Sequence, residues 1–333
     1  MEPESLHIQR AAGVEIFVAI DSTVRGPALG GCRWRPYPDS AAARRDALDL
    51  ARAMTRKAAL ARLALGGGKS VVVGDPRQRT RDQLLALGDL VESLEGRFIV
   101  AADMGTGQEE MAVLAERTRY VTGLPRSAGG CGDPGPFTAL GVQLALEAAL
   151  TQVGRALDGA KVAVQGMGSV GSTLVRGLLE AGATVVVADS DPKALQQLPR
   201  EVEVVAPELI LDQDCDVFAP CGPPGVIDAR VAEELSCQVV CGGANNPLEH
   251  SGIAQRLAQR GVLYVPDFLA NAGGLMHLAV ALEGGDDAAS RARLGIIVEN
   301  LARVLAYAEA ERVDTASAAE RLALAALTAG DQV

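Results

Sequence analysis

The sequence predicts an α/β protein of two domains with a cleft between them. Its 333 residues are enough for two domains of ordinary size, each with its own core. After residue 135, strand-like apolar runs alternate with helical stretches, which is typical of a parallel sheet covered by helices. The segment PRSAGGCGDPGP, residues 125–136, is rich in glycine and proline and is the candidate linker. We therefore expect an N-terminal α/β substrate domain at 1–130, a second domain at 131–315, and a C-terminal helix at 316–333 that packs back on the first domain.

The composition argues against several classes of function. The net charge is −11 without any basic run, which disfavours nucleic acid or a membrane surface as partner. No apolar run reaches the ~18 residues of a membrane span, and the N-terminus does not resemble a signal peptide, so we expect a cytoplasmic protein. The six cysteines are scattered and the three histidines are far apart, so we expect neither a disulfide framework nor a metal site.

In the first domain, the pattern of apolar residues and caps predicts the elements in order. Residues 15–20, EIFVAI, predict a strand, and Ser40 is expected to cap a helix that runs to about residue 61. GGGKSVVVGDP is expected to form a loop, a short strand and a loop, with Lys69 before the strand. Thr80 is expected to cap the next helix, and RFIVAADMG predicts a strand that ends near Asp103.

Lys69 follows three glycines and precedes a serine, but the segment does not fit a phosphate-binding P-loop. Leu63 stands where that motif needs a glycine, and the apolar run follows the lysine instead of preceding it. Only four of the 31 basic side chains are lysines, and Lys57 and Lys69 are two of them. A buried lysine can release its proton near neutral pH, which arginine does not do. The alternative is a pair of solvated surface lysines.

A glycine motif marks the start of the second domain's sheet. GMGSVG, residues 166–171, lies between the strand KVAVQ and a helix, and the next strand, TVVVAD, ends at Asp189. In such a Rossmann unit Gly166 makes the tight turn, Gly168 lets a pyrophosphate approach, and Gly171 allows the helix to pack on the strand. Asp189 would accept hydrogen bonds from the adenosine ribose, and its charge disfavours a 2′-phosphate. These features predict NAD as cofactor; a glycine turn without a ligand is the alternative.

Several further motifs occur in a recognisable order. They are GPALGGCR, MTRKAALARLALGGGKSVVVGDP, AADMGTG, GPFTALGV, GMGSVG, CDVFAPC, GGANNP and PDFLANAGG. In this order the chain resembles the amino-acid dehydrogenases of the glutamate, leucine, phenylalanine and valine dehydrogenase family. The resemblance covers about residues 15–310 and is closest to the leucine/phenylalanine/valine branch.

The resemblance implies NAD-dependent oxidative deamination of an L-amino acid to a 2-oxo acid and ammonia, and the reverse reductive amination. By this match Lys69 is the catalytic lysine and Asp103 the catalytic aspartate, while Lys57 and the loop Gly30-Gly31 hold the substrate carboxylate. One departure is Ala58, where the family commonly has asparagine. The resemblance also implies a homo-oligomer.

The remaining site residues are likewise implied by the resemblance. The substrate side chain is expected to meet Leu29, Ala101, Leu294 and Ile297, and Asn271 is expected to contact both substrate and cofactor. The cofactor is expected to meet Gly166, Gly168, Ser169, Val170, Gly171, Asp189, Thr138, Ala219, Asn245 and Asn271. The four pocket residues are apolar, so leucine, valine or isoleucine is the favoured substrate, with phenylalanine or another aromatic amino acid as the alternative.

Other interpretations remain open. A relative that binds NAD without chemistry would be expected to have lost Lys69 or Asp103, and both are present. A Rossmann oxidoreductase that acts on alcohols would need a histidine or tyrosine acid, and the three histidines lie outside the matched motifs. Asp103 could instead cap the helix that follows it, and Asn271 could be a turn residue before Gly273-Gly274.

Overall fold

The computed structural model describes residues 3–328, which fold into two compact units. The first unit takes the chain up to Pro134, His277–Asp287 and the chain from Ala323 onward. The second takes Gly135–Met276 and Ala288–Leu322. The predicted C-terminal helix reaches Thr328, and residues 329–333 of that prediction lie outside the described residues. Between residues 3 and 328, every helix lacks the length or the apolar content that a membrane span requires.

The first unit is built on a five-stranded mixed sheet in the order β1-β2-β4-β3-β5. Its strands are β1 (Ser5–Ala11), β2 (Val14–Ser22), β3 (Ala28–Arg35), β4 (Gly66–Val73) and β5 (Phe98–Ala102). β2 pairs antiparallel with β1 and β4, whereas β3 pairs parallel with both β4 and β5. The carboxyl ends of β3, β4 and β5 therefore lie at the same edge of the sheet.

Helices cover both faces of this sheet. They are α1 (Ser40–Leu60) on one face and α2 (Arg81–Glu92) with α3 (Gln108–Leu114) on the other. The α1 face is lined by small residues of the helix and apolar residues of the strands: Ala43, Ala47, Ala51, Phe17, Ala19 and Val71. Asp39, not Ser40, caps α1, because its Oδ1 accepts a hydrogen bond from the Ala42 amide at 2.7 Å. Thr80 caps α2 with a full capping box, as predicted.

The second unit contains a six-stranded parallel sheet in the order β11-β10-β9-β6-β7-β8. Its strands are β6 (Lys161–Gln165), β7 (Thr184–Ala188), β8 (Glu203–Val204), β9 (Val217–Pro220), β10 (Val239–Val240) and β11 (Leu263–Tyr264). Read from β8, this is the Rossmann order 3-2-1-4-5-6, and its topological switch point lies between β6 and β9. The predicted parallel α/β fold is confirmed.

The remaining helices lie after residue 134. They are α4 (Gly135–Gln152), α5 (Ser169–Glu180), α6 (Ala229–Glu234), α7 (Gly252–Gln259), α8 (Asp267–Ala270), α9 (Gly273–Leu282), α10 (Asp287–Arg293), α11 (Gly295–Glu311) and α12 (Thr315–Thr328). α9 runs across the boundary between the units after Met276, and α12 crosses it after Leu322. Near the end of α12, the Ala326 carbonyl accepts a hydrogen bond from Arg25 Nη1 at 3.1 Å within the first unit.

Two segments predicted as loops are strands. Gly30 and Gly31 lie inside β3, and Lys69 lies inside β4, which begins at Gly66. Glycine runs are depleted in strands because they have no side chain to pack, so the sequence pattern favoured a loop. Here the strands are held by pairing on both sides, since β4 lies between β2 and β3, and β3 between β4 and β5.

Candidate active site

Neighbouring strands of the first sheet bring several candidate side chains to one face. Side chains two residues apart on a strand share a face. Val71 packs against α1, so Lys69 on the same strand points to the α1 face as well. On β3, Arg33 pairs with Asp46 of α1 and therefore faces the same helix. Asp103 directly follows β5 and reaches the same place.

Lys69 and Asp103 form a buried ion pair. Lys69 Nζ lies 2.6 Å from Asp103 Oδ2, and the lysine residue is only 5% exposed. Arg33 Nε lies 3.2 Å from the same carboxylate oxygen. Burial by itself would raise the pKa of Asp103, but the charges of Lys69 and Arg33 outweigh it and hold that pKa well below its usual range. Asp103 is therefore a carboxylate at neutral pH, and Lys69 has a charged partner within hydrogen-bonding distance.

Arg33 is a member of this cluster that the sequence did not reveal. Its Nη1 lies 3.3 Å from Asp46 Oδ2, and the Tyr37 hydroxyl donates a hydrogen bond to the same oxygen at 2.5 Å. One signal was available: Arg33 lies two residues after Gly31, on the same face of the strand. Its partner Asp103 is 70 residues away, so sequence alone gave no reason to join them.

Gly31, two residues before Arg33, makes room for Asp103. A Cβ on Gly31 would lie 2.6 Å from Asp103 Cβ and 2.9 Å from the Ala102 carbonyl oxygen, closer than real Cβ atoms approach. The loop that begins at Asp103 is fixed from the other side by Thr106. The Thr106 hydroxyl donates to the Cys32 carbonyl at 2.8 Å and accepts from the Asp103 amide at 3.1 Å.

The glycines before Lys69 allow close packing of the elements around β4, and Gly67 allows the approach of α1. A Cβ on Gly67 would lie 2.0 Å from the backbone nitrogen of Thr55 in α1, so a side chain there would push the helix away from β4. Lys57 lies two residues after Thr55, half-buried in the last turn of the same helix. The structure thus places both lysines on elements in direct contact, since α1 packs on the face of β4 that carries Lys69.

Leu29 and Ala101 form apolar surface beside this ion cluster. Leu29 alternates with Gly31 and Arg33 on β3, and Ala101 pairs with Gly31 across the β3–β5 ladder. Both therefore share the α1 face with Asp103. They are buried, with 1% of Leu29 and 4% of Ala101 exposed.

In the second unit, the glycine turn has the form expected for a dinucleotide site. Gly166 has a φ of +94°, which favours glycine. A Cβ on Gly171 would lie 1.9 Å from the Gly166 carbonyl oxygen, so this position packs helix against strand. A Cβ on Gly168 would meet no protein atom within 4 Å. The space beside Gly168, at the N-terminus of α5, can thus accept a phosphate group, and the residues present fit a dinucleotide.

Asp189 ties the glycine turn to the end of β7. Its Oδ2 accepts a hydrogen bond from the Met167 amide at 2.6 Å, and its Oδ1 accepts one from the Asp191 amide at 2.7 Å. Each carboxylate oxygen can accept a further hydrogen bond, so the side chain stays able to accept from a ribose hydroxyl.

Asn271 carries a buried acceptor without a protein donor. The residue is 4% exposed, and its Nδ2 donates to Asn245 Oδ1 at 2.9 Å and to the Gly243 carbonyl at 3.3 Å. Within residues 3–328 its Oδ1 has no hydrogen-bond partner. A buried acceptor without a donor is costly, and an N–H or O–H donor of a bound ligand or a water molecule would satisfy it. The carboxamide of nicotinamide has such a group.

The other predicted residues lie around this sheet or in the helical interior of the second unit. Thr138 lies in the first turn of α4, and Ala219 is fully buried in β9. Ser169 and Val170 begin α5, and a Cβ on Gly243 would lie 2.6 Å from Val170 Cγ1, so the start of α5 packs against the loop after β10.

Leu294 and Ile297 lie in the helical interior of the second unit. Both are 0% exposed. Ile297 Cδ1 lies 2.7 Å from the Cβ position of Gly141 in α4, and Leu294 Cδ2 lies 3.2 Å from that of Gly273 in α9. Both side chains therefore pack against these helices, and their role in the substrate pocket stays a prediction.

Comparisons with known proteins agree on the family. Residues 5–120 match the family model of the Glu/Leu/Phe/Val dehydrogenase dimerisation domain, and residues 129–195 and 189–329 match that of Glutamate/Leucine/Phenylalanine/Valine dehydrogenase. The chain belongs to the glutamate/leucine/phenylalanine/valine dehydrogenase family. It is therefore an oxidoreductase that acts on amino acids, with a nucleotide-binding domain.

Individual members of this family are similar over almost their whole length. Valine dehydrogenase of Streptomyces virginiae is 40% identical over 94% of this chain and 90% of its own. Leucine dehydrogenase of Bacillus subtilis (strain 168) is 38% identical over 94% and 87%. The crystal structure of L-tryptophan dehydrogenase from Nostoc punctiforme superposes with a TM-score of 0.85 at 36% identity, covering 98% of this chain and 96% of that one.

Proposed function

We propose that this family member catalyses NAD-dependent oxidative deamination of an apolar L-amino acid, with leucine, valine or isoleucine favoured, and the reverse reductive amination. The observation that carries the proposal is the buried pair of Lys69 Nζ and Asp103 Oδ2, 2.6 Å apart, on the same sheet face as Leu29 and Ala101. It combines a proton-transfer group, a fixed anion and apolar surface at one place. In this proposal the first unit binds the amino acid and the second binds NAD.

Lys69 is the acid and base of the reaction. Oxidation of the amino acid at Cα gives an iminium, which water must attack, and protons then move between nitrogen and oxygen. A buried lysine can supply and remove those protons, whereas arginine stays protonated. Asp103 holds the substrate ammonium group and takes part in the proton transfer, because its carboxylate is ionised and is held beside Lys69.

The substrate is held at both of its ends. Lys57 and the backbone at Gly30 and Gly31 bind its carboxylate, and Leu29 and Ala101 meet its side chain. Burying an aliphatic side chain against such surface contributes about 1.5–3 kcal/mol. Water is excluded from Lys69 by the same packing, since that residue is 5% exposed.

The second unit supplies the cofactor site. The amides at the N-terminus of α5, beginning at Ser169 and Val170, and the open space at Gly168 bind the pyrophosphate of NAD. Asp189 accepts from the adenosine ribose, and its charge selects NAD over NADP. Thr138 and Asn271 would hold the nicotinamide end of the cofactor and Asn245 its ribose, with Ala219 in the neighbouring strand β9. When bound, NAD accepts the hydride from the substrate Cα.

The similarity to valine and leucine dehydrogenases, at 40% and 38% identity, supports a branched-chain substrate. The pocket residues Leu29 and Ala101 are apolar and offer no positive partner to the side-chain carboxylate of glutamate. An aromatic amino acid is the second candidate, because the L-tryptophan dehydrogenase of Nostoc punctiforme is 36% identical and has the same fold.

The protein is proposed to act in the cytoplasm as a homo-oligomer, without nucleic acid or membrane partners. The match of residues 5–120 to a domain described as a dimerisation domain supports association through the first unit. The net charge of −11 supports the absence of a nucleic-acid partner.

One assay tests the proposed reaction. Purified protein is mixed with L-valine and NAD⁺, and NADH is followed by absorbance while ammonia is quantified in the same sample. We expect one ammonia for each NADH. NADH without ammonia would indicate oxidation of a different group, and no NADH with any amino acid would refute the proposal. Lys69→Ala is the control for contaminating activity.

A further inference from the structure

We propose that Arg33 is a positioning residue that keeps Asp103 ionised at the moment when Lys69 has lost its proton. This inference rests on the proposed function, in which Lys69 alternates between its charged and neutral forms. It assigns to Arg33 a role that it exerts through its contact with Asp103.

Two cations share one oxygen of Asp103. Lys69 Nζ lies 2.6 Å and Arg33 Nε 3.2 Å from Oδ2. While Lys69 is protonated, it is itself a counter-ion for the carboxylate. When Lys69 is neutral, a carboxylate beside it with no other cation would compete for the same proton. Arg33 removes that competition because a guanidinium does not lose its proton in proteins.

Arg33 is also paired with Asp46, which fixes the guanidinium and keeps it charged. Its side chain is 13% exposed, and its Nη1 lies 3.3 Å from Asp46 Oδ2. Burial would lower the pKa of Arg33, but the charges of Asp103 and Asp46 outweigh burial and raise it. The Tyr37 hydroxyl donates a hydrogen bond to Asp46, which holds the carboxylate in place.

Other ionisable groups near the Lys69, Asp103 and Arg33 cluster lie on the neighbouring elements β3, α3 and α1. On β3, burial raises the pKa of Cys32 to about 12, so the thiol is neutral. Burial likewise raises the pKa of Tyr37, which stays protonated. On α3, Glu110 is paired with Arg79, and on α1 Lys57 is half-buried in the last turn. The cations in contact with Asp103 are thus Lys69 and Arg33, and of these two side chain types only lysine loses its proton readily in proteins.

This arrangement predicts shifts of opposite sign for two substitutions. Arg33→Met removes a fixed positive charge near Lys69, so the lysine loses its proton less readily. The rising limb of kcat/KM against pH for oxidative deamination should move up by about one pH unit. Asp46→Asn removes a negative charge behind Arg33, so the same limb should move to lower pH. Arg33→Lys keeps the positive charge, so the pH dependence of its kcat/KM should be close to that of the unsubstituted protein.

An exposed ion pair provides the matched control. Arg77 and Asp75 are paired at 2.9 Å in the same unit, and the arginine side chain is 88% exposed. Arg77→Met and Asp75→Asn make the same chemical changes away from the cluster. Both should leave the pH limb unmoved. A merely structural effect of the Arg33 and Asp46 substitutions would lower activity at every pH without moving the limb in opposite directions.

A second readout does not depend on turnover. Cyanate carbamoylates an amine only when it is unprotonated, and the chain has four lysines, so mass spectrometry can follow each one separately. The pH at which Lys69 reaches half of its maximal rate should rise in Arg33→Met and fall in Asp46→Asn. The exposed Lys193 is the internal reference and should not change.

The two readouts separate the failure of this inference from the failure of the proposed function. Opposite shifts in the Lys69 modification profile support the role of Arg33 even if no amino acid is turned over, and in that case only the proposed reaction fails. The inference would be overturned if Arg33→Met and Asp46→Asn turn over substrate but leave two quantities unchanged, the pH dependence of kcat/KM and the pH dependence of Lys69 carbamoylation. If Arg33→Met does not fold, Asp46→Asn alone decides, and an unmoved profile in it overturns the inference as well.

Discussion

The carboxylate-bearing carbon of Asp103 occupies space that a side chain at Gly31 would need. A Cβ on Gly31 would lie 2.6 Å from Asp103 Cβ. The glycine of β3 and the aspartate after β5 are therefore a matched pair, and the position of Asp103 relative to Lys69 depends on the absence of a side chain at residue 31.

Gly31→Ala should disable the enzyme and also lower its melting temperature, because the added Cβ lies 2.9 Å from the Ala102 carbonyl oxygen as well as 2.6 Å from Asp103 Cβ. The added methyl group pushes Asp103 away from Lys69, and a displacement near 1 Å at a reacting group costs about 10²-fold in rate. We expect kcat/KM to fall by at least that factor. Gly295→Ala is the control, because a Cβ there meets nothing within 4 Å, and it should leave both activity and melting temperature unchanged or slightly raised. Normal turnover in Gly31→Ala would remove Asp103 from the mechanism.

Lys69→Arg should be nearly as inactive as Lys69→Ala. Arginine keeps the positive charge beside Asp103 but cannot act as a base, so kcat should fall by about 10²–10⁴-fold. The dissociation constant for NAD, measured by calorimetry, should be unchanged in both variants, because the glycine turn that we propose as its binding site lies in the other unit. An active Lys69→Arg protein would mean that only the charge matters at this position.

Acid should abolish part of the stabilisation that Asp103 provides. Its pKa in the folded protein is held below the ordinary value of 3.8, so the carboxylate stabilises the fold above that pH. As pH falls below about 4 toward the lower folded-state pKa, this contribution is lost. Asp103→Asn should therefore be less stable than the unsubstituted protein at pH 7, because it leaves Lys69 and Arg33 without their anion.

Urea denaturation at pH 7, 4, 3 and 2.5 measures that difference, because the contribution is lost only below about pH 4. The free energies of unfolding of the two proteins should converge as the pH decreases. A difference that stays constant over this range would show that Asp103 is not held ionised by its neighbours.

Two glycines of the cofactor turn should respond differently to alanine. Gly168→Ala places a methyl group where no protein atom lies, so the melting temperature without cofactor should be unchanged while the dissociation constant for NAD rises about tenfold or more. Gly171→Ala places its methyl group 1.9 Å from the Gly166 carbonyl oxygen and should lower the melting temperature without any ligand. Equal NAD binding by Gly168→Ala and the unsubstituted protein would contradict the assigned phosphate site.

The Rossmann unit was predictable because its signals are local. The strand β6, the turn at Gly166 and the helix α5 follow one another in 20 residues, Lys161–Glu180, and the strand β7 follows directly. Gly171 packs against the Gly166 carbonyl five residues away, whereas Gly166 and Gly177 approach Gly222 and Gln143 from more distant segments. The short strands β8, β10 and β11 are defined mainly by pairing with distant strands, so their bounds could not be predicted as closely.

The candidate site in the first unit was predictable only in part. Lys69 and Asp103 were predicted from their motifs. The strand that carries Lys69 was not, because Gly66–Gly68 are atypical of a strand and their packing partners Thr55 and Phe98 are distant in sequence. Arg33 was missed because a salt bridge over 70 residues leaves no pattern in a single sequence.

The most direct test of the account is the ranking of amino acids by kcat/KM with NAD⁺. The panel contains valine, leucine, isoleucine, phenylalanine, tryptophan and glutamate, assayed by NADH absorbance under the same conditions. One methylene in an apolar pocket discriminates by about 1–3 kcal/mol, so the three branched-chain substrates should differ by less than about 200-fold among themselves. We predict that one of them ranks first and that glutamate ranks last. Glutamate in first place, or no turnover with any member of the panel, would contradict the account.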